Sequence, residues 1–203
     1  MNVSHQRINI NILLVILFAL SSGCSVVHQA TQMKNLANCD FRIESAQNLN
    51  LAGVYVENIR TWSDLSLLDA QKLLVAMAGS SVPLSMTLNI QAQNPNPDPA
   101  GMYKLEWILF IDDIQMAQGE FNQQVTIPGN GGMATIPVQL TFDLKQVLSG
   151  RSGKAIINFG LNLAGVGNTP TRIKARIKPS IMIGQTPLAY PGYITIKTEF
   201  GAN

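Results

Sequence analysis

A strict alternation of apolar and polar side chains runs through the middle of this chain and limits what it can fold into. Six apolar residues recur at every second position from Val82 to Ala92, and polar residues or proline fill the positions between them. The same period of two recurs from Ile136 to Leu144. Because successive side chains of a β-strand point to opposite faces, this pattern predicts strands with one buried and one exposed face.

Other apolar runs of strand length are separated by turn residues. The further predicted strands are Phe41–Ser45, Leu49–Val56, Leu105–Ile111, Phe121–Ile127, Ala155–Leu163, Thr171–Ile177 and Tyr193–Phe200. Leu105–Ile111 is apolar on both faces, which favours a central position in a sheet. Pro137 cannot donate a hydrogen bond to a neighbouring strand, so its strand is expected at an edge or with a bulge. Asp112 and Asp113 lie between two apolar runs and are predicted to form a hairpin tip.

One segment has the periodicity of a helix. Its apolar residues repeat with a period of about 3.6 residues: Leu67, Ala70, Leu73, Leu74, Met77 and Ala78. Ser66 and Asp69 resemble a capping box and Gly79 is expected to end the helix, so we predict one amphipathic helix at about residues 66–78. Its apolar stripe, including Met77, is expected to face the core. Many strands with one helix predict a mainly β protein, an antiparallel β-sandwich with the helix at one end.

The amino-terminal end has the features of an export signal. Ile12 to Leu20 are nine consecutive apolar residues, too few for a transmembrane helix, which needs about 20, but typical of a secretory signal. Small residues and then Cys24 follow, as in a bacterial lipoprotein signal, although Ser21 stands where that pattern usually has Leu. We predict a lipoprotein signal peptide over residues 1–23 and lipidation of Cys24. The alternative is an uncleaved anchor or a buried strand.

A lipid on Cys24 would place the protein in the bacterial cell envelope. Ser25 follows the cysteine, and in many Gram-negative lipoproteins the lack of Asp there goes with sorting to the outer membrane. We expect the protein at the outer membrane, facing the periplasm. Residues 24–38 are then expected to form a flexible tether, and residues 39–203 the folded domain.

Cys39 is the only other cysteine. If Cys24 carries lipid, Cys39 has no intrachain partner, and a buried, inert thiol is the expected outcome. The alternative is a Cys24–Cys39 disulfide in a protein without lipid.

The middle of the chain resembles a known family over about residues 80–165. The matching pieces, in chain order, are Asn94-Pro95-Asn96, the Asp112-Asp113 hairpin, Ala117-Gln118-Gly119, Ile127-Pro128 and Ile136-Pro137-Val138. They are similar to the late-embryogenesis-abundant type 2 family, also called the water-stress and hypersensitive-response (WHy) domain. The resemblance implies an immunoglobulin- or fibronectin-like β-sandwich with one helix. It also implies an association with stress and desiccation tolerance, no established catalytic residues and, in some relatives, lipid binding along an apolar groove.

Few side chains of the predicted domain suit catalysis or metal binding. The two histidines are His5, in the predicted signal peptide, and His28, in the predicted tether, so the domain lacks the usual general base. Cys39 has no spaced partner for a metal site, and Asp112-Asp113 is expected to be a turn rather than a Ca²⁺ site. The net charge of +2 is too small to imply nucleic-acid binding. We expect no enzyme activity, metal or cofactor.

Four basic residues alternate with apolar ones near the carboxyl end. They are Arg172, Lys174, Arg176 and Lys178, and we call them the basic stripe. On a strand all four would project from one face. Such a stripe suits contact with lipid phosphates or an acidic partner. The alternative is a solvated strand face, or a charged edge that blocks sheet aggregation.

The sequence therefore predicts a non-enzymatic, lipid-anchored envelope protein with a binding or stress-protective role, acting on envelope proteins or partly unfolded chains. One alternative is a periplasmic carrier of lipid or another apolar ligand, and another is a structural subunit of an envelope assembly. A cavity lined by Met86, Leu88 and Phe142 would favour the carrier. A closed, filled core would favour the interaction role.

Overall fold

The computed structural model describes residues 31, 33–57, 59, 61–163, 171–183 and 185–200. The predicted signal peptide, the predicted lipidation site Cys24 and His28 lie outside the described residues. What the sequence predicts of them stays a prediction.

The packed part of the chain begins before Cys39. Residues 33–37 are helical, and Leu36 is fully buried in the core. These residues belong to the segment 24–38, which the sequence predicts to be a flexible tether. The end of that segment is instead held against the domain by an apolar side chain.

Four antiparallel strands form the first sheet. They are β1 (Asp40–Leu51), β2 (Val54–Tyr55), β3 (Pro83–Asn94) and β8 (Gly132–Asp143), in the order β2–β1–β3–β8. β3 and β8 pair from Pro83 opposite Asp143 to Asn94 opposite Gly132. Alternate residues of both strands are buried, as the period of two predicts. Pro137 lies in β8 at the edge of the sheet, which confirms its predicted position.

The second sheet is built around β9. Its strands are β5 (Lys104–Ile111), β6 (Ile114–Phe121), β9 (Thr171–Ile183), β10 (Thr186–Ala189) and β11 (Ile194–Phe200). The order is β10–β9–β5–β6, and β11 also pairs with β9. β5 is central, as its apolar composition predicts. A small ribbon pairs β4 (Ala100–Met102) with β7 (Val125–Ile127).

Three predicted strands have different boundaries in the structure. Phe41–Ser45 and Leu49–Val56 are mostly one long strand, β1, which bulges between Ile43 and Ser45 and continues into the short β2. The predicted strand Phe121–Ile127 is interrupted, because β6 ends at Phe121 and β7 belongs to the separate ribbon.

The predicted strand Ala155–Leu163 is wrong, because these residues lie in the helix α3 (Gly153–Leu163). Apolar residues recur there with a period of two from Ile157 onward, which is why the sequence favours a strand. Ile156, Ile157, Gly160 and Leu161 are nevertheless buried at the spacing of one helix face. Gly160 permits close packing, since a Cβ there would lie 2.8 Å from the side chain of Leu51 in β1.

The predicted amphipathic helix forms as α1 (Leu67–Ala78). The Ser66 Oγ accepts a hydrogen bond from the Asp69 N–H at 3.1 Å, and the Ser66 hydroxyl donates to the Asp69 carboxylate at 2.6 Å. These bonds confirm the predicted cap. A short helix, α2 (Leu144–Val147), follows β8, and Lys145 donates to the carbonyls of Met77 and Gly79 at the end of α1.

The predicted fold class is confirmed: the protein is mainly β, with antiparallel sheets in a sandwich-like arrangement and a minor helical part. One hydrophobic core joins the inner faces of both sheets. Leu88 and Leu140 contribute to it from the first sheet, and Leu109 and Ile177 from the second.

Asn94 ties together four segments at one end of the sandwich. Its side chain is fully buried and donates to the carbonyls of Asp98 (2.9 Å) and Ile127 (3.1 Å). Its Oδ1 accepts from the N–H and the side-chain amide of Asn96. Asn96 in turn donates to the Asn35 carbonyl at 2.9 Å. The Asn-Pro-Asn step therefore joins the end of β3 to β7 and to the helical segment 33–37.

We expect Asn94→Ala to lower the free energy of unfolding by about 3 kcal/mol, because it leaves buried backbone carbonyls without donors. Chemical denaturation measured by circular dichroism tests this. The matched control is Gln93→Ala, next to it on β3 but exposed, which should change stability by no more than about 0.5 kcal/mol. Equal midpoints for the two variants would contradict the structural role of Asn94.

Candidate functional site

Helix α1 leaves most of its large apolar side chains uncovered. Leu73 is its one buried residue. Four others are 59–89% exposed: Leu67, Leu68, Leu74 and Val75. The expectation that the apolar stripe faces the core is therefore only partly met. Met77 packs against the core half-buried, and Leu67 and Leu74 face outward.

An apolar groove lies between α1 and α3. Its volume is about 590 Å³. Its walls are Leu65, Ala70, Leu73, Leu74 and Met77 on the α1 side and Lys154, Ile157 and Asn158 on α3. The start of α3 lies so close to the end of α1 that a Cβ on Gly153 would be 2.5 Å from the Met77 Cγ. We call this cavity the α1–α3 groove.

Among the described residues that line the α1–α3 groove, Lys154 is the one charged residue and none is a carboxylate. The side chain is exposed. Among the described residues it has no ion-pair or hydrogen-bond partner. The groove thus combines an apolar wall with one uncompensated positive charge.

A second, shallower groove lies on the other flank of α1. Its volume is about 420 Å³, and Leu68, Val75 and Lys72 are among its lining residues. Here the lysine is neutralised, because the Lys72 Nζ lies 3.4 Å from the Asp69 carboxylate and donates to the Gly53 carbonyl at 3.3 Å. The hydrogen bond from the Ser66 hydroxyl lowers the pKa of Asp69 below its ordinary value, and Lys72 adds a smaller lowering effect.

The exposed face of α1 lies at the end of the sandwich opposite Cys39. β1 starts beside Cys39 and ends at Leu51, which contacts Gly160 of α3. A strand of this length separates the two ends by roughly 35 Å, at about 3.3 Å per residue. The chain therefore enters the domain far from α1 and α3.

The apolar grooves beside α1 do not involve the residues that the carrier hypothesis named. Met86, Leu88 and Phe142 are buried in the core between the sheets. None of them lines the α1–α3 groove or the groove on the other flank.

The basic stripe lies on the outer face of β9, where its residues alternate with buried ones. One end is paired with the β5–β6 hairpin. Asp112 and Asp113 form its tip, as predicted, and both have positive φ. The Arg172 Nε lies 3.6 Å from the Asp112 carboxylate, and the Lys174 Nζ lies 2.7 Å from that of Asp113. The Lys174 ammonium lowers the pKa of Asp113 through this contact.

The other end of the stripe contacts an aromatic ring. The Arg176 guanidinium lies 4.6 Å from the ring centroid of Tyr193, and the Lys178 ammonium 5.8 Å from it. Neither cation has a carboxylate partner among the described residues. Of the four predicted contact residues, Arg176 and Lys178 are the pair with uncompensated charge.

Cys39 is a free, buried thiol, 7% exposed. Its S–H donates to the Asn35 carbonyl at 3.3 Å. Burial, with a smaller contribution from the negative charge of Asp40, raises the pKa of the thiol to about 11. The predicted burial of Cys39 is confirmed, and the disulfide alternative involves Cys24, outside the described residues.

The described residues contain neither a cluster of metal-ligating side chains nor a membrane-spanning helix. No group of three His, Cys, Asp or Glu side chains within them is placed to hold a metal ion. None of their helices is long and apolar enough to cross a membrane.

No family model and no curated protein sequence matches this chain. Several solved structures are similar to it, and the following three have low scores. A crystal structure of a protein from Archaeoglobus fulgidus has 15% identity and a TM-score of 0.36, over 79% of this chain and 98% of its own. A solution structure of a protein from Arabidopsis thaliana has 9% identity and a TM-score of 0.36, over 60% and 72%.

The third is a solution structure of a candidate late embryogenesis abundant (LEA) protein, with 12% identity and a TM-score of 0.35, over 93% of this chain and 84% of its own. Scores and identities this low establish neither a family nor an activity.

The α1–α3 groove was not predicted, because residues 155–163, which include Ile157, were interpreted as a strand. The signal that could have found α3 is the spacing of Ile156, Ile157 and Gly160, preceded by Ser152. The Ser152 Oγ accepts a hydrogen bond from the Ala155 N–H at 3.3 Å, as a helix cap does.

We expect Cys39 in the native protein to react with a thiol reagent at least about 100-fold more slowly than in the unfolded protein at about pH 8. The raised pKa keeps the thiol neutral, and burial blocks access. A Cys24→Ser variant leaves Cys39 as the one thiol to be followed by absorbance. Equal rates in the native and unfolded protein would contradict the buried site.

The same pKa gives the direction of a pH effect on stability. Because the folded-state pKa of about 11 lies above that of an unfolded thiol, which is about 8.5, the neutral thiol contributes its full stability below about pH 8.5. That contribution is lost as the pH rises through about 11.

Proposed function

We propose that this protein is a non-catalytic, lipid-anchored protein of the bacterial cell envelope that binds apolar segments of other proteins with the exposed face of α1. The observation that carries the proposal is the exposure of four large apolar side chains on one helix, Leu67, Leu68, Leu74 and Val75. Leaving one such side chain in water forgoes about 1.5–3 kcal/mol of burial. A helix that exposes several large apolar side chains together is typical of an interaction surface, and we call these four residues the apolar patch.

The chemistry of the patch favours an apolar, uncharged partner segment. Lys72 beside it is neutralised by Asp69, and no other ion pair of the described residues involves α1. Partly unfolded proteins expose apolar segments under stress. The resemblance of residues 80–165 to the late-embryogenesis-abundant type 2 family supports a stress-protective role.

The proposed anchor is compatible with the position of the patch. A lipid on Cys24 would hold the domain by the end that carries Cys39. The α1 face, roughly 35 Å away along β1, would then point from the outer membrane into the periplasm. In that orientation it is accessible to periplasmic proteins.

A second candidate function is the periplasmic carriage of an apolar ligand. The observation that favours it is the α1–α3 groove, whose volume of about 590 Å³ falls in the range of about 300–1,000 Å³ found for ligand pockets.

The basic stripe supports a secondary contact with anionic groups. Since Asp112 and Asp113 neutralise Arg172 and Lys174, we assign this contact to Arg176 and Lys178. Lipid phosphates are the group we expect, because the proposed anchor keeps the domain near a membrane.

We expect Cys24→Ser to move the protein from the membrane fraction to the soluble fraction of cells, because the residue that accepts the lipid is lost. Fractionation and mass spectrometry of the mature amino terminus test this. A wild-type protein that starts at a residue other than Cys24 would contradict the anchor.

We expect the double variant Leu68→Gln, Val75→Gln to lose most of the protection that the wild type gives a heat-labile client enzyme, because both side chains belong to the apolar patch. Light scattering of the heated client measures the protection. Since both residues are exposed, stability should change by no more than about 0.5 kcal/mol.

The matched control is Tyr103→Gln, Met133→Gln. These residues are also exposed and apolar, at 47% and 52%, and Met133 lies near the Asn94 end of the sandwich. The control should protect the client like the wild type. Equal protection by the α1 variant, or equal loss in the control, argues against α1 as the binding face.

A further inference from the structure

We infer that the α1–α3 groove binds a single-chain amphiphile with an anionic head group, such as a fatty acid, and that Lys154 binds the head group. This inference rests on the second candidate function, ligand carriage, and names the ligand class. The acyl chain lies along the apolar wall, and the head group lies at the mouth, beside the lysine.

The wall of the groove suits an acyl chain. Leu73 and Ile157 form its buried part, and Leu74 and Met77 extend it toward the surface. Filling the groove would bury the apolar surface of the ligand together with part of the exposed surface of α1, which is the driving force for binding.

An acyl chain suits the groove better than a polypeptide does. A peptide segment brings a backbone N–H and C=O at each residue, and each needs a hydrogen-bond partner once it is buried. Among the described residues that line the groove, Lys154 and Asn158 are the two with polar side chains. A hydrocarbon chain needs no such partners.

The positive charge of Lys154 favours an anionic head group. Lys154 is exposed, and among the described residues it has neither a partner nor a carboxylate beside it in the groove. Carboxylate and phosphate oxygens form charge-assisted hydrogen bonds with an ammonium group. A neutral head group gains less from the lysine, and a cationic one is repelled by it. Lys72, on the other flank, is already paired with Asp69 and offers no such charge.

The test measures, by isothermal titration calorimetry, the binding of four ligands with the same chain below their micelle concentrations. Dodecanoate and dodecyl phosphate carry anionic heads, dodecanol a neutral one and dodecyltrimethylammonium a cationic one. We expect both anionic ligands to bind wild-type protein more tightly than dodecanol, and the cationic ligand to bind most weakly. The two anionic ligands distinguish a fatty acid from a phosphorylated lipid.

The variants locate the site. Lys154→Gln should weaken binding of the anionic ligands about fivefold and leave dodecanol unchanged, as expected for one exposed charge contact. Lys72→Gln, also an exposed lysine beside an apolar groove of α1, should change nothing. Leu74→Gln should weaken all four ligands, since it alters the wall. Thermal unfolding of each variant checks that it folds.

Several results would overturn the inference. They are the absence of binding, a preference for dodecanol over the anionic ligands, no effect of Lys154→Gln, or an equal effect of Lys72→Gln. The client-binding proposal is tested separately, by the variants of Leu68 and Val75 on the other flank. Amphiphile binding without client protection would contradict the client-binding proposal alone. Client protection without amphiphile binding would contradict the amphiphile proposal alone.

Discussion

The buried side chain of Asn94 is the interaction on which the rest of the structure depends. A buried side-chain amide is stable when its donors and its acceptor all have hydrogen-bond partners. The Asn94 amide donates to the carbonyls of Asp98 and Ile127, and its oxygen accepts from Asn96. These bonds fix where β3 ends and where the chain passes to the small ribbon. Through Asn96 they also hold the segment that carries Cys39 into the first sheet. One asparagine thus positions both the junction of the sheets and the start of the domain.

The two ends of the sandwich are closed by different interactions. The Asn94 end is closed by hydrogen bonds between backbone and amide groups. The opposite end is covered by three helices, and α1 buries one residue fully while leaving Leu67, Leu68, Leu74 and Val75 in water. Leu73 of the same helix is buried against the core, whereas these four side chains are not. Their exposure beside two grooves explains why the proposed binding activities lie at this end and not between the sheets.

Local patterns predicted the strands well and the site poorly, for physical reasons. A period of two fixes which face of β3 or β8 is buried, and the missing N–H of Pro137 fixes an edge, because both are properties of neighbouring residues. An apolar run such as 155–163 fits a strand and a helix about equally well, and contacts with Leu51 decide between them. The exposure of α1 and the pairing of Lys174 with Asp113, 61 residues apart in the chain, depend on tertiary packing that no local pattern contains.

Under the proposed lipid anchor, Pro137 would limit association between neighbouring copies of the protein. Molecules anchored in one membrane meet far more often than the same number in solution, and an open sheet edge would let neighbours add strand to strand into fibres. β8 is such an edge, twelve residues long and paired with β3 on one side. Because Pro137 offers no N–H in the middle of that edge, a second copy could not pair along its full length, which would oppose the fusion of copies that the proposed anchor holds side by side.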